Sequence, residues 1–166
     1  MPEIVFDSSV LSNFSHGDAM PILEKMYSGS AYITIFITAE IRAGIRAGHA
    51  GLRQADEAIR KGWLREIDLE PGAEKSLFER FSAPLDLGEA SALALAMSRG
   101  WTIACDDLAA RREAESLRVK LTGTVGILIK AAKTRIMAPE NADDTLALMI
   151  KNGFYSPVRS IKANFK

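Results

Sequence analysis

The stretch WTIACDDLAARREAE, Trp101–Glu115, sets two kinds of sequence end to end. WTIAC is apolar and of strand type. DLAARREAESLR has the pattern of a helix. Asp106 and Asp107 stand at the junction. Two like charges that close repel, and each loses hydration if partly buried. The usual responses are a raised pKa or a bound cation.

Working outward, the same strand-then-helix alternation fills the chain. EIVFD gives a short buried strand, Ile4–Phe6, stopping at Asp7. In the stretch that follows, Ser8, Ser9 and Ser12 suit a cap and a turn, and Ile22, Leu23 and Met26 have helical spacing. AYITIFITAE, residues 31–40, is β-branched and aromatic and reads as the second strand. Thr38 is the expected cap of the next helix, with Glu40 in its first turn. LRQADEAIRKG continues as helix to Gly62, and WLREIDL has the look of an edge strand. PGAEKSLFERF is helical. The Ala-rich stretch from Gly88 to Arg99 is another helix, ended by Gly100. VKLTG, TVGILIKAAKTRI and PENADDTLALMIKNG complete the series as strand, helix and helix. Such alternation implies βαβ units and a mostly parallel sheet covered by helices.

The chain has 166 residues, 48% hydrophobic and 25% charged, and is expected to form one domain, 1–166, with a basic tail from about residue 154. Lys+Arg and Asp+Glu balance at 21 each, so no global positive field gathers nucleic acid. Cys105 is the only cysteine, which excludes an intramolecular disulfide and points to a cytoplasmic setting. The first ten residues do not read as a secretory signal, and no apolar run is long enough to span a bilayer.

Asp7 follows the first strand, Glu40 the second, and Asp106 and Asp107 a later one. In an open parallel sheet, ligands bind beyond the carboxyl ends of the strands. Glu89 opens GEASALALA, whose small residues let a helix approach the sheet closely and bring Glu89 to the same edge. Carboxylates gathered there need a counter-charge, and hard divalent cations such as Mg²⁺ or Mn²⁺ prefer oxygen ligands. Next to nucleotide phosphates, that combination points to phosphodiester hydrolysis.

IVFDSSVLSNF, ITAEIRAGI, GEASALALA and IACDDLAAR occur in this order, and together they resemble the PIN-domain family. LTGTVGILIKAAKTRIM and NGFYSP are similar to a PIN subfamily of toxin-like prokaryotic proteins with a doubled DD. The resemblance implies a PIN-like three-layer α/β fold with a mostly parallel sheet. It also implies a Mg²⁺- or Mn²⁺-dependent ribonuclease of the VapC-like toxin type, with an antitoxin partner and a homodimeric state. Carried over by motif, Asp7, Glu40, Glu89 and Asp106 are the catalytic and metal-holding acids, with Asp107 as a further metal ligand. The chain departs from many of these toxins at Ala104, where they have Thr. Ser8, Ser9 and Thr38 are the candidates to replace that hydroxyl.

Each feature also has a plainer reading. Asp7 can cap the following helix, Glu40 and Glu89 can favour a helix dipole, and the Asp106–Asp107 pair can be one cap beside one solvated acid. Asp86 reads as a turn residue and Asp143–Asp144 as a cap. Arg111 and Arg112 can contact phosphate or pair with the acids. His16 and His49 read as surface residues, and Cys105 as a small buried hydrophobe. Arg42, Arg46, Arg53, Arg60 and Lys61, and separately Lys130, Lys133 and Arg135, form either a phosphate-positioning rim or solvated helix faces. The rival to a nuclease is a PIN-fold module that binds RNA or protein without turnover. A phosphoryl-transfer receiver domain fits poorly, because its acidic pair belongs after the first strand, where Asp7 is followed by Ser8 and Ser9.

Overall fold

Five short strands lie side by side in one sheet: β1 (Ile4–Phe6), β2 (Ala31–Thr34), β3 (Leu64–Ile67), β4 (Thr102–Ala104) and β5 (Leu121–Thr122). The computed structural model describes residues 2–165. The spatial order is β3-β2-β1-β4-β5, and every pairing is parallel. Val5 is in register with Tyr32 on one side and Ile103 on the other. β1 and the end of β4 are buried on both faces, which explains why they read as unbroken apolar runs and not as alternating ones.

Nine α-helices among the described residues cover this sheet: α1 (Ser8–His16), α2 (Met20–Tyr27), α3 (Ile35–Arg46), α4 (Arg53–Lys61), α5 (Ala73–Phe81), α6 (Leu87–Arg99), α7 (Leu108–Ser116), α8 (Thr124–Lys133) and α9 (Pro139–Lys151). The architecture is the expected α/β one, a parallel sheet flanked by helices. α6 lies against β1, β2 and β4 and is buried from Ala90 to Ala96, as its small side chains suggest. A buried hydrogen bond of 2.7 Å between Thr34 Oγ1 and Ser91 Oγ ties it to the start of α3.

The order of the strands decides where a ligand can sit. From β1 the chain winds outward to β2 and β3, then returns to β4 on the other side. β1 and β4 therefore flank the switch point, where the crevice beyond the strand ends is widest. Asp7 leaves β1 and Asp106 follows β4 two residues after its last paired position. The Asp7 N–H donates to Ala104 O at 2.9 Å, so the two strand ends are fastened together there.

The structure corrects three sequence readings. β2 ends at Thr34, not near residue 40. Thr34 is the cap of α3, accepting from the Ile37 N–H, while Thr38 lies inside the helix and donates to Thr34 O. Glu40 consequently projects from the second helical turn and not from a strand end or a first turn. The β-branched residues Ile35, Ile37 and Thr38 have strand propensity, but as a helix the segment buries Ile37, Thr38 and Ile41 on one face and leaves Ile35 exposed, and that burial wins. Ser8, Ser9 and Ser12 are within α1, whose cap is Asp7. Asp143 and Asp144 lie inside α9, which starts at Pro139 without a side-chain cap. The Asp143 carboxylate instead accepts from Ser160 Oγ and from the N–H groups of Ile161 and Lys162, fastening the tail.

Candidate metal centre

Asp7 is the most enclosed acid of the strand edge, only 3% exposed. It caps α1: Oδ2 accepts from the Ser9 N–H at 3.2 Å and from Ser9 Oγ at 2.7 Å, with Cys105 Sγ as a third, weaker donor at 3.6 Å. Burial raises its pKa, the Ser9 hydrogen bonds oppose that rise, and the Asp86 charge adds to it. The Cys105 thiol is likewise pushed up by burial and then by Asp7. Ser9 also links the strands, since its Oγ accepts from the Asp106 N–H at 3.1 Å. Ser8 and Ser9 thus supply hydroxyls beside the acids while Ala104 has none; Thr38 does not take part.

Glu40 reaches the cluster from α3. Ser8 Oγ donates to its Oε2 at 3.0 Å. Burial and then Asp86 raise its pKa. Its carboxylate rests on Gly88 at the start of α6, where a Cβ would fall 2.3 Å from Oε1. Only a glycine leaves room for that approach.

Glu89 belongs to a reciprocal cap. Its N–H donates to Asp86 Oδ1 at 2.8 Å, and its own Oε2 accepts from the Asp86 N–H at 3.3 Å. Burial, then the charges of Asp86, Asp7 and Asp107, push Glu89 up to about 7. Asp86 was read as a turn residue, yet it raises Asp7, Glu40 and Glu89 alike. The D-L-G-E spacing was the available signal for the cap; its nearness to three other acids arises only in the fold.

Asp106 is the best-anchored of the group. Oδ1 accepts from the Thr124 N–H at 2.9 Å; Oδ2 accepts from Asn13 Nδ2 at 2.9 Å and from the Thr124 hydroxyl. The carboxylate thereby joins β4, α1 and the N-terminus of α8, a favourable place for an anion. Nothing local in the sequence marks Asn13 or Thr124: Asn13 is 93 positions from Asp106 and 111 from Thr124, and Thr124 is 18 from Asp106. Asp107 is exposed and caps α7 through the Ala110 N–H at 3.0 Å. The plain reading of the pair, one cap and one other acid, therefore describes Asp107 well and Asp106 poorly.

Arg111 forms no ion pair with these acids. Its Nη1 donates to the carbonyls of Cys105 and Thr122, at 2.8 and 3.3 Å. The first basic cluster is partly neutralised, with Arg42 and Arg60 both on Asp56 at 3.0 Å and Lys61 on Glu57 at 3.3 Å. His49 is exposed; His16 is half-buried and sits beside Gly51, with Ser12 Oγ 3.3 Å from its Nδ1.

Asp7, Asp86, Glu89, Asp106 and Asp107 line one open crevice of about 380 Å³, with Ser8, Ser9 and Asn13 among its other walls and no Lys or Arg. Glu40 borders the adjoining recess past Ser8. The donors are all hard oxygens, and Asp7, Glu40 and Glu89 are raised first by burial and then by the negative charges around them. That chemistry fits a hard divalent cation. Among the described residues, no three His, Cys, Asp or Glu side chains already converge as a preformed metal centre. Oxygens of Asp7, Asp86, Asp106 and Asp107 accept from backbone N–H groups instead.

Comparison with curated proteins gives no match. A protein-family model described as a PIN domain, DUF3368, matches residues 3–165, nearly the whole length. The chain with this acid-lined switch point belongs to the PIN domain family.

Proposed function

We infer that this protein is a divalent-metal-dependent ribonuclease that hydrolyses RNA phosphodiester bonds. PIN domains are generally nucleases. The observation that carries the reading is the crevice itself: five carboxylates line it and a sixth borders it, without a lysine or arginine among them. Such a site repels phosphate unless a cation accompanies it.

Asp7, Glu40, Glu89 and Asp106 are the residues that would hold Mg²⁺ or Mn²⁺, with Asp107 at the rim. A bound divalent ion supplies charge neutralisation, phosphate orientation and a lowered pKa for attacking water. Ser9 aims Asp7, and Thr124 with Asn13 aims Asp106, as supporting hydrogen bonds do around ligating carboxylates. Hydrolysis needs one proton removed from water as its oxygen attacks phosphorus and one delivered to the leaving ribose oxygen. Glu89, pushed up to about 7 by burial and its acidic neighbours, would give up its proton on holding the cation. The family resemblance adds the role of toxin in a prokaryotic toxin–antitoxin pair, with a cognate antitoxin and a homodimer.

One observation favours a second reading. The carboxylates do not converge, which suits a module that binds RNA or protein without cutting. Cleavage of an end-labelled RNA pool separates the two. The nuclease cuts with Mn²⁺ or Mg²⁺ and not with EDTA, and Asp7→Asn, which keeps a capping side chain, abolishes cutting. Folded, metal-supplied protein that cuts no RNA in the pool defeats the nuclease reading.

A further inference from the structure

Phe154 and Tyr155 are neighbours in sequence and opposites in environment. Phe154 packs on the core, and its N–H donates to Met149 O at 2.9 Å. Tyr155 is 96% exposed. The loop beneath it is pinned on both sides. Gly153, at φ 109°, turns the chain off α9. Ser156 Oγ donates to Val158 O and accepts from the Val158 N–H at 3.2 Å, and Asp143 holds the backbone of Ile161 and Lys162. A bare aromatic ring on a fastened loop adds nothing to the core, whereas it offers a flat face to a ligand.

That ring borders two cavities. One is the acid crevice. The other, of about 420 Å³, runs from Asp106 past Arg111 and Gly123 to Pro157. Asp106, Phe154 and Tyr155 line both. Arg111 is fixed by two carbonyls, and no carboxylate among the described residues lies within ion-pair distance of it. Carbonyls orient a guanidinium without cancelling its charge; Asp106, across Gly123, offsets it only in part, and no ion pair claims it.

We propose that this second cavity is a nucleotide subsite, in which Tyr155 stacks an unpaired base of the RNA strand and Arg111 pairs with the adjoining phosphate. The proposal rests on the ribonuclease reading for its ligand. The shared wall at Asp106 puts the next phosphate of the strand over the acids. In a duplex the base faces are already stacked and paired, so the ring has nothing to receive.

The test is binding of a single-stranded RNA oligonucleotide containing 2-aminopurine to the Asp7→Asn variant supplied with Mg²⁺, which keeps the acids neutralised while cutting is off. Stacking on Tyr155 quenches the fluorophore. Tyr155→Ala lowers affinity roughly 5- to 100-fold and abolishes the quench; Tyr155→Trp restores both. Arg111→Gln lowers the salt dependence of binding by about one ion. Duplex RNA of the same sequence does not compete well. Equal affinity and quench in Tyr155→Ala, or equal competition by duplex, overturns the subsite. The two readings fail separately. Metal-dependent cutting indifferent to Tyr155 retains the nuclease and removes the subsite. Tyr155-dependent binding with no cutting retains the subsite and removes the nuclease.

Discussion

Gly88 and Glu40 approach so closely that a Cβ on residue 88 would lie 2.3 Å from Glu40 Oε1. The contact joins α3 to α6 at the acid crevice, and the crowded atom is the far end of a flexible side chain. Gly88→Ala is therefore expected to leave the fold intact and to swing Glu40 away, lowering metal affinity and activity. In the background of Glu40→Ala the obstacle is gone. There Gly88→Ala gains helix propensity and stabilises by up to about 1 kcal/mol. A double-mutant cycle in urea, with metal titrations alongside, measures both. Additive effects on stability and metal binding would mean that the contact does not hold Glu40 in place.

Asp7, Glu40 and Glu89 are all raised above their ordinary values, first by burial. Between about pH 4 and pH 7 the folded chain keeps protons that the unfolded chain has released. Stability without metal therefore falls as pH rises from about 4, and the Glu89 share of that loss is complete once pH passes about 7. Glu74 and Asp143 are lowered by their partners, and their contribution is lost only as pH drops below about 4. In EDTA, thermal unfolding is expected at a higher temperature at pH 5 than at pH 8. Mn²⁺ raises it at pH 8 and much less at pH 5, since binding requires the carboxylates ionised. A metal-free protein more stable at pH 8 than at pH 5 contradicts the raised values.

Much of this was legible from residues 4–7, 88–100 and 101–107, because buried strands are short apolar runs and helix ends carry glycine or a capping acid. Gly62 and Gly100 both stop helices in the left-handed region, as read. The β2–α3 boundary was not legible. Local propensity favours strand through Thr38, and the Thr34 cap together with packing on the neighbouring helices makes Ile35 onward helical. Asp86, Asn13 and Thr124 escaped for a different reason: their neighbours in the crevice are remote in sequence, and a single chain carries no record of that proximity.

Asp86 does two jobs that substitution can separate. Asn caps a helix about as well as Asp, while Ala forfeits roughly 1 kcal/mol. Asp86→Asn is thus expected to keep the stability of α6 yet remove the charge that raises Asp7, Glu40 and Glu89. Its unfolding temperature in EDTA should vary less between pH 5 and pH 8 than the wild type's. Asp86→Ala should show the same flattening on a lower baseline. If Asp86→Asn keeps the full wild-type pH dependence, Asp86 is not the charge that couples these acids.

Thr124 is fully buried and gives Asp106 both its N–H and its hydroxyl. Thr124→Val keeps the shape and the backbone donor and removes one hydrogen bond to a charged group, at a cost of about 1.5–3 kcal/mol. Asn13 still holds the same oxygen, so Asp106 is loosened and not released. Chemical denaturation reads the stability loss, and RNA cleavage is expected to fall with it. Thr124→Ser, which restores the hydroxyl, recovers most of the activity. A Val variant as active as wild type would show that Asp106 needs no such alignment.

Asp143 fastens the last stretch of chain to α9 through Ser160, Ile161 and Lys162, and Ile161 is fully buried beside it. Hydrogen bonds to a carboxylate contribute about 1.5–3 kcal/mol each to local order. Without them the tail keeps the apolar contacts of Val158 and Ile161, the Lys162–Glu140 ion pair and the Ser156–Val158 turn. Asp143→Ala is expected to open residues 156–165 to limited proteolysis while α9 itself stays folded, because the helix gains an alanine. Asp143→Asn, which retains an accepting oxygen, should fall between. The base platform at Tyr155 sits on this segment, so the loss should appear in affinity for single-stranded RNA as well as in cleavage by protease. Mass spectrometry of the fragments locates the opening. Cuts within α9 instead of the tail would show that Asp143 stabilises the helix and not the segment folded back on it.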